Sequence, residues 1–311
     1  MPPVHGVLVV DKPSGPTSHD VVDRVRNALA VRKAGHTGTL DPFATGVLAV
    51  CLGKATRLAR FLAEGEKVYR ASVRLGFSTT TDDVLGEPLA PAVQASATPE
   101  EVRAACDALT GPQLQLPPAF SAKRIDGRRA YDVARAGGVP QLAAAPVTVH
   151  RIEVLAVAGQ QVELEVSCSR GTYIRALARD LGRRLGLGGH LAALRRTRSG
   201  PFDVTSAVTL DAISGTAARV LPLSALLPEL PAVTLGPDGV TALRHGRDLS
   251  QRLTVAGFPA SPGRVRLLTE GGELLALGML KGLDAGLPGI PAAPVIHPDV
   301  VLIGPDAPTS A

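Results

Sequence analysis

Residues 147–185 read VTVHRIEVLAVAGQQVELEVSCSRGTYIRALARDLGRRL. Val147 to Val157 is rich in β-branched residues, and Gln161 to Ser167 alternates apolar with polar. Both predict strands, joined by the short Ala158-Gly159-Gln160 turn. Tyr173 to Leu185 then predicts a helix with Leu177 and Leu181 on one face. Two strands this close in sequence pair antiparallel, because a parallel pair needs a long crossover. This favours a mixed α+β fold over a doubly wound parallel sheet.

The flanking segments agree. Val4 to Val10 predicts a buried strand, and Asp11 to Pro16 a turn. A helix is predicted from Thr17 to Ala30, opened by a Thr-x-x-Asp capping box with Asp20. Val47 to Leu52, Lys67 to Leu75 and His190 to Arg198 predict strands, and Thr56 to Ala63 a short helix. A further helix spans Thr98 to Leu109, with Thr98 as its cap. Gly111 to Gly127 reads as irregular, and Arg128 to Arg135 as helical. Pro228-Glu229-Leu230-Pro231 reads as a linker, Val265–Thr269 and Glu273–Leu280 as a hairpin, and the stretch from Gly286 as a flexible Pro-, Gly- and Ala-rich tail.

The chain of 311 residues is 45% apolar, enough for a sizeable core. Its 3 cysteines are far apart and outline neither a disulfide framework nor a metal site. The apolar N-terminal run Gly6–Val10 is too short for a signal peptide or membrane span, so a cytoplasmic setting without membrane attachment is expected. Lys plus Arg number 33 against 28 Asp plus Glu, and only 6 of the cations are Lys. Residues 1–225 carry 27 cations and 20 anions, a net of +7; residues 226–311 carry 6 and 8, a net of −2. Arg suits phosphate and base stacking, which fits a nucleic-acid partner. Composition alone favours the plainer account, Arg replacing Lys in an Ala-, Gly- and Pro-rich chain.

Gly53-Lys54-Ala55-Thr56 fails as a phosphate loop: Leu48 stands where the first Gly belongs, and Ala55 replaces Ser or Thr. The seven histidines show no ligand spacing, so neither a metal nor a nucleotide cofactor is expected. Gly35 to Gly46 is a polar loop around Asp41-Pro42. It reads equally well as a surface turn or as a functional loop presenting a carboxylate as nucleophile or base. Cys168 to Arg175 marks a strand-to-helix passage. Tyr69 and Tyr173, two of the three tyrosines, adjoin these motifs.

Taken in order, seven pieces resemble one family. They are Gly6–Gly15 with Thr17-Ser18, the Gly-His-Thr-Gly to Asp-Pro loop, Lys67-Val68-Tyr69, Leu75-Gly76 with the loop to Gly86, Pro117–Ala122 with Tyr131 and Ala134-Arg135, Cys168–Arg175, and Arg196–Phe202. The chain resembles the bacterial tRNA pseudouridine-55 synthases of the TruB type over about residues 4–215. The resemblance implies a mainly antiparallel central sheet of the pseudouridine synthase type, flanked by helices. It implies a catalytic domain over 1–227 with an RNA-gripping insertion near 117–150, and a β-rich PUA-like module over 228–311. It implies isomerisation of the T-loop uridine 55 of tRNA by a monomer, with no cofactor, metal or guide RNA. Asp41 aligns with the catalytic aspartate, which either attacks C1′ or removes the C2′ proton. Arg175 aligns with its paired arginine, whose charge is expected to hold Asp41 deprotonated. Tyr69 aligns with the base-stacking tyrosine, and Tyr173 with a second wall. His36 aligns with the residue filling the space of the flipped base, and Asp83 with an aspartate near the pocket. Lys12, Arg124 and the arginines of the 173–185 helix are candidate phosphate contacts. Arg124 stands where the family often has Lys. The alternative is a tRNA-binding or tRNA-folding protein that keeps the fold and not the chemistry.

Overall fold

A computed structural model describes residues 4–94, 96–120, 124–125, 128–129, 138, 142–213, 219–281 and 294–304. The strands are β1 Gly6–Lys12, β2 Ala34–His36, β3 Thr45–Leu52, β4 Lys67–Leu75, β5 Gly111–Gln115, β6 Arg124–Ile125, β7 Arg128–Arg129, β8 Ala145–Ala158, β9 Gln161–Cys168, β10 Gly189–Ser199, β11 Phe202–Asp203, β12 Val208–Thr209 and β13 Leu221–Pro222. After these come β14 Ala232–Leu235, β15 Leu249–Ser250, β16 Thr254–Ala256, β17 Gly263–Leu268, β18 Leu274–Lys281 and β19 Val295–Val301. The α-helices are α1 Ser18–Ala28, α2 Ala59–Leu62, α3 Pro99–Asp107, α4 Ile174–Arg184 and α5 Pro237–Arg244.

The large sheet runs β12-β1-β3-β10-β4-β9-β8-β5. Only β1–β12 and β3–β10 pair parallel along this path, so the fold is mixed α+β and mainly antiparallel, as expected. Alternation along β1 and β3 settles the layers. Leu8, Val10, Leu48, Val50 and Leu52 face α1 with its Val21, Val22 and Val25. Val7, Val9, Val47, Ala49 and Cys51 face the other way. Against β4 and β9, α3 and α4 bury Val102, Cys106, Leu177 and Leu181. Gly182 lets α4 lie close, since a Cβ there would stand 2.3 Å from the Gly188 carbonyl carbon. The capping box at Thr17 and Asp20 is formed, as is one at Thr98 and Glu101.

Three expectations are corrected. Gly111–Gln115 is not irregular: it is the outer strand β5, and its Pro112 is tolerated because an edge strand has one unpaired side. Arg128–Arg129 pairs as a strand with Arg124–Ile125 instead of opening a helix, while 130–135 lies outside the described residues. The presumed tail contains β19, inserted between β15 and β18, with a register shift where Pro298 meets Gly278.

The second sheet, β15-β19-β18-β17-β14-β16, includes the predicted hairpin as β17–β18. It is not a loosely tethered unit. Leu274, Leu277, Val300 and Leu302 share one buried cluster with Val7, Val9, Val47 and Phe61. Leu230 of the expected linker packs on that cluster, and its carbonyl accepts from Arg266 Nε at 3.1 Å. Arg60 and Arg264 both stack on the Phe61 ring and both pair with Asp299.

Candidate active site

The strands β3, β10, β4 and β9 are neighbours, and one row crosses them: Gly46, Arg196, Tyr69 and Val166 lie in register. Asp41 sits in the loop entering β3, and Arg175 in the first turn of α4 leaving β9. The sheet order therefore brings together residues that are far apart in sequence.

Arg175 is buried and meets Asp41 side-on, with Nε 2.9 Å from Oδ2 and Nη2 donating to Oδ1 at 3.1 Å. Its remaining contacts fix the guanidinium plane. Nη1 donates to the Thr81 carbonyl at 3.1 Å and stands 3.4 Å from Asp83 Oδ2, while Nη2 also donates to the Phe120 carbonyl at 2.9 Å. Asp83 Oδ1 in turn accepts from Thr81 Oγ1 at 2.6 Å and from the Leu85 amide at 3.0 Å. The Asp41 side chain keeps 32% of its surface exposed, so a reactant can reach it.

Burial pushes the Asp41 carboxyl above its ordinary value of 3.8; Arg175 pulls it down, Asp83 pushes it up, and Lys12 pulls it down. Arg175 acts in the expected direction, and burial acts against it. Its guanidinium opposes a larger desolvation effect.

The Asp41 loop is fixed from three sides. Ser18 Oγ accepts from the Leu40 amide at 2.8 Å and donates to the Leu40 carbonyl at 3.0 Å. Arg196, buried under the loop, donates from Nη2 to Gly38 at 3.0 Å and from Nε to Val47 at 2.7 Å. Gly46 has a φ of 100° and lies where a Cβ would meet the Arg196 carbonyl oxygen at 2.1 Å, so only glycine lets β3 join β10 there.

Lys12 supplies the third side, and its expected role as a phosphate contact is overturned. It is fully buried, and Nζ donates to the carbonyls of Pro13 at 2.9 Å, Pro42 at 3.0 Å and Ala44 at 2.7 Å. All three protons are committed to backbone around Asp41. Burial lowers its pKa from 10.5 to about 8. Between these values the unfolded chain holds a proton that the folded one has lost, so stability from this group rises with pH. The unfolding free energy of the wild type relative to Lys12→Met is therefore expected to increase from pH 8 to 10.5 in urea titrations. A flat difference would refute the assignment.

Tyr69 is buried on β4, and burial raises its phenol above 10.0, against a lowering from Arg196, which also hydrogen-bonds it. Tyr173 is half-buried just before α4. His36 ends β2, half-buried, and burial lowers its pKa, followed by the charges of Arg196 and His19. Arg124 lies on β6, but its side chain is outside the described residues. Along α4, Arg179 is also not a free phosphate contact, since Nη1 binds Asp82 at 2.8 Å and Nη2 the Leu116 carbonyl at 2.9 Å. Arg183 and Arg184 are exposed. Ser18, Arg196 and Gln115, whose amide pairs with the Tyr173 backbone, have structural duties that the linear sequence did not signal, because each acts on a residue distant along the chain.

Comparison with known proteins gives the family. Residues 26–174 match the model described as TruB family pseudouridylate synthase (N terminal domain), and residues 175–226 that of the tRNA pseudouridylate synthase B C-terminal domain. The chain is 40% identical to the tRNA pseudouridine synthase B of Solibacter usitatus, over 96% of this chain and 99% of that one. It is 48% identical to that of Thermobifida fusca, over 85% and 94%. The chain belongs to the TruB family. Among solved structures it is similar to the archaeal box H/ACA sRNP Nop10-Cbf5 complex, with a TM-score of 0.72 and 28% identity over 97% of this chain and 88% of that one. The TruB-family models meet between Ile174 and Arg175, at the first turn of α4. Among the described residues no three or more His, Cys, Asp or Glu are grouped to hold a metal ion, and no helix is long and apolar enough to cross a membrane.

Proposed function

We propose that this TruB-family enzyme converts the T-loop uridine 55 of tRNA to pseudouridine, with Asp41 as its catalytic residue. The observation that carries the reading is a reachable carboxylate clamped by the buried Arg175 on a pseudouridine synthase scaffold. The reaction breaks N1–C1′ and forms C5–C1′; C5 loses a proton to solvent and N1 gains one. It is redox-neutral. Asp41 starts it as an anion, by attack at C1′ or by removing the C2′ proton.

The uridine is extruded from the folded loop, at a cost of a few kcal/mol. Tyr69 stacks on the flipped base and Tyr173 walls the pocket. His36 fills the vacated space, favoured for it by a neutral ring. Asp83 orients Arg175 from the side opposite Asp41. Arg124, Arg183 and Arg184 meet phosphates. Residues 1–227 form the catalytic domain with its RNA-gripping insertion near 117–150, and residues 228–311 a PUA-like module. The enzyme acts in the cytoplasm as a monomer without guide RNA, and its three buried free cysteines suit a reducing compartment. The presence of Asp41, Tyr69 and Arg175 in the chain argues against a non-catalytic tRNA-folding role.

Primer extension on a carbodiimide-treated tRNA transcript is the test. One new stop, in the T loop, is expected after incubation with protein alone. Stops elsewhere, or none, would refute the substrate assignment.

A further inference from the structure

Helix α4 carries Arg175, yet its start has no side-chain cap of its own and no acidic residue in its first turn. A residue from the edge strand supplies the missing anchor. Gln115, the last residue of β5, is buried. Its Oε1 accepts the Tyr173 amide at 2.8 Å, and its Nε2 donates to the Tyr173 carbonyl at 3.1 Å. A primary amide that satisfies both polar groups of one residue fixes that backbone in direction as well as position. Two residues later comes Arg175.

Two further contacts join this segment to α4. The Leu116 carbonyl accepts from Arg179, and the Phe120 carbonyl from Arg175. Residues 115–120 thus lie along α4 at three points, and Gln115 is the only one of the three that acts through its side chain.

We propose that Gln115 is a positioning residue for the reaction: by seating Tyr173 it fixes the start of α4, and so the approach of the Arg175 guanidinium to Asp41. This rests on the function proposed above, but one of its readouts does not. Displacing the guanidinium weakens the charge that pulls Asp41 down, so Asp41 titrates at higher pH. A residue serving only the stability of β5 would leave that titration unmoved.

The experiment compares the full-length wild type with Gln115→Met and Gln115→Asn. Met keeps the length without the hydrogen bonds, and Asn keeps the amide but is one methylene short. Asp41 is titrated by carboxyl-carbon NMR, and conversion is followed on a tRNA transcript. In both variants the Asp41 titration is expected to move to higher pH. The kcat is expected to fall at least about tenfold while KM changes less than about threefold, as small displacements of reacting groups allow. Gln115→Glu keeps the acceptor for the Tyr173 amide but loses the donor to the Tyr173 carbonyl, so it is not expected to restore kcat. Leu114→Ala, an exposed change on the same strand, is expected to alter neither readout. An unmoved Asp41 titration in Gln115→Met, or in Gln115→Asn should Met fail to fold, overturns the proposal even if activity falls. Should the wild type itself leave uridine unconverted, the function fails, while the Asp41 titration still decides the positioning.

Discussion

Asp41→Asn is expected to bind tRNA as the wild type does and to form no pseudouridine. The loss in turnover should be at least about 10⁴-fold, the scale seen when a reacting group is removed from an otherwise intact site. An amide offers no carboxylate to attack C1′ or to take the C2′ proton. The fold has little reason to suffer. Arg175 keeps Asp83 and the carbonyls of Thr81 and Phe120. The loop keeps its ties from Ser18, Lys12 and Arg196. Burial raises the Asp41 pKa, so the folded state holds its proton more tightly than the unfolded chain. The stability that Asp41 contributes is present at low pH and is lost as pH rises through the folded value. Near neutral pH Asn removes a charge that burial disfavours and, with it, the ion pair to Arg175, so the variant should melt near the wild-type temperature. A variant that melts early, or loses tRNA affinity with its activity, would place Asp41 in the scaffold.

Arg175→Met is expected to give the second-largest effect, a fall in kcat of about 10²–10³-fold, typical for a lost electrostatic partner at a reacting group. Its pH profile carries the sharper information. In the proposed reaction Asp41 starts as an anion, so activity is expected to fall as pH drops through its raised pKa. Arg175 is what pulls that value down. Removing it moves the acid limb of kcat/KM to higher pH; an unmoved limb would mean that the ion pair does not tune Asp41. Met also leaves the buried Asp83 without its cation, which destabilises the fold, so the comparison is made at equal folded fraction. Arg175→Lys should recover only part of the rate. A single ammonium cannot reproduce the planar fork that meets Asp41, Asp83 and two carbonyls.

Local patterns made much of the fold legible. The Gly159 turn between β8 and β9, the capping box at Thr17 and the β17–β18 hairpin are all short-range features. The ordered motifs also brought Asp41, Tyr69 and Arg175 onto one list, and the sheet order accounts for their meeting. What stayed hidden depends on distant partners. Lys12 looks like a basic residue beside a loop, and only the path of β1 under Pro42 and Ala44 shows that it is buried. Arg196 reads as one of several strand arginines, but the β3–β10 pairing slides it beneath the Asp41 loop. Pro112 and Pro298 interrupt two strands whose positions, at an edge and at a register shift, tolerate them. The opposing effect of burial on Asp41 was not legible, because charge partners can be named from motifs, whereas burial needs coordinates.

In the proposed reaction a clamped Asp41 carboxylate drives exchange of the uridine linkage from N1 to C5. Release of tritium from tRNA labelled at uridine C5 measures that event, because the C5 hydrogen leaves only when C5 takes up C1′. Wild-type protein is expected to release the equivalent of one labelled uridine per tRNA without added metal or nucleotide, and Asp41→Asn to release none. Release by Asp41→Asn at the wild-type rate would contradict the account.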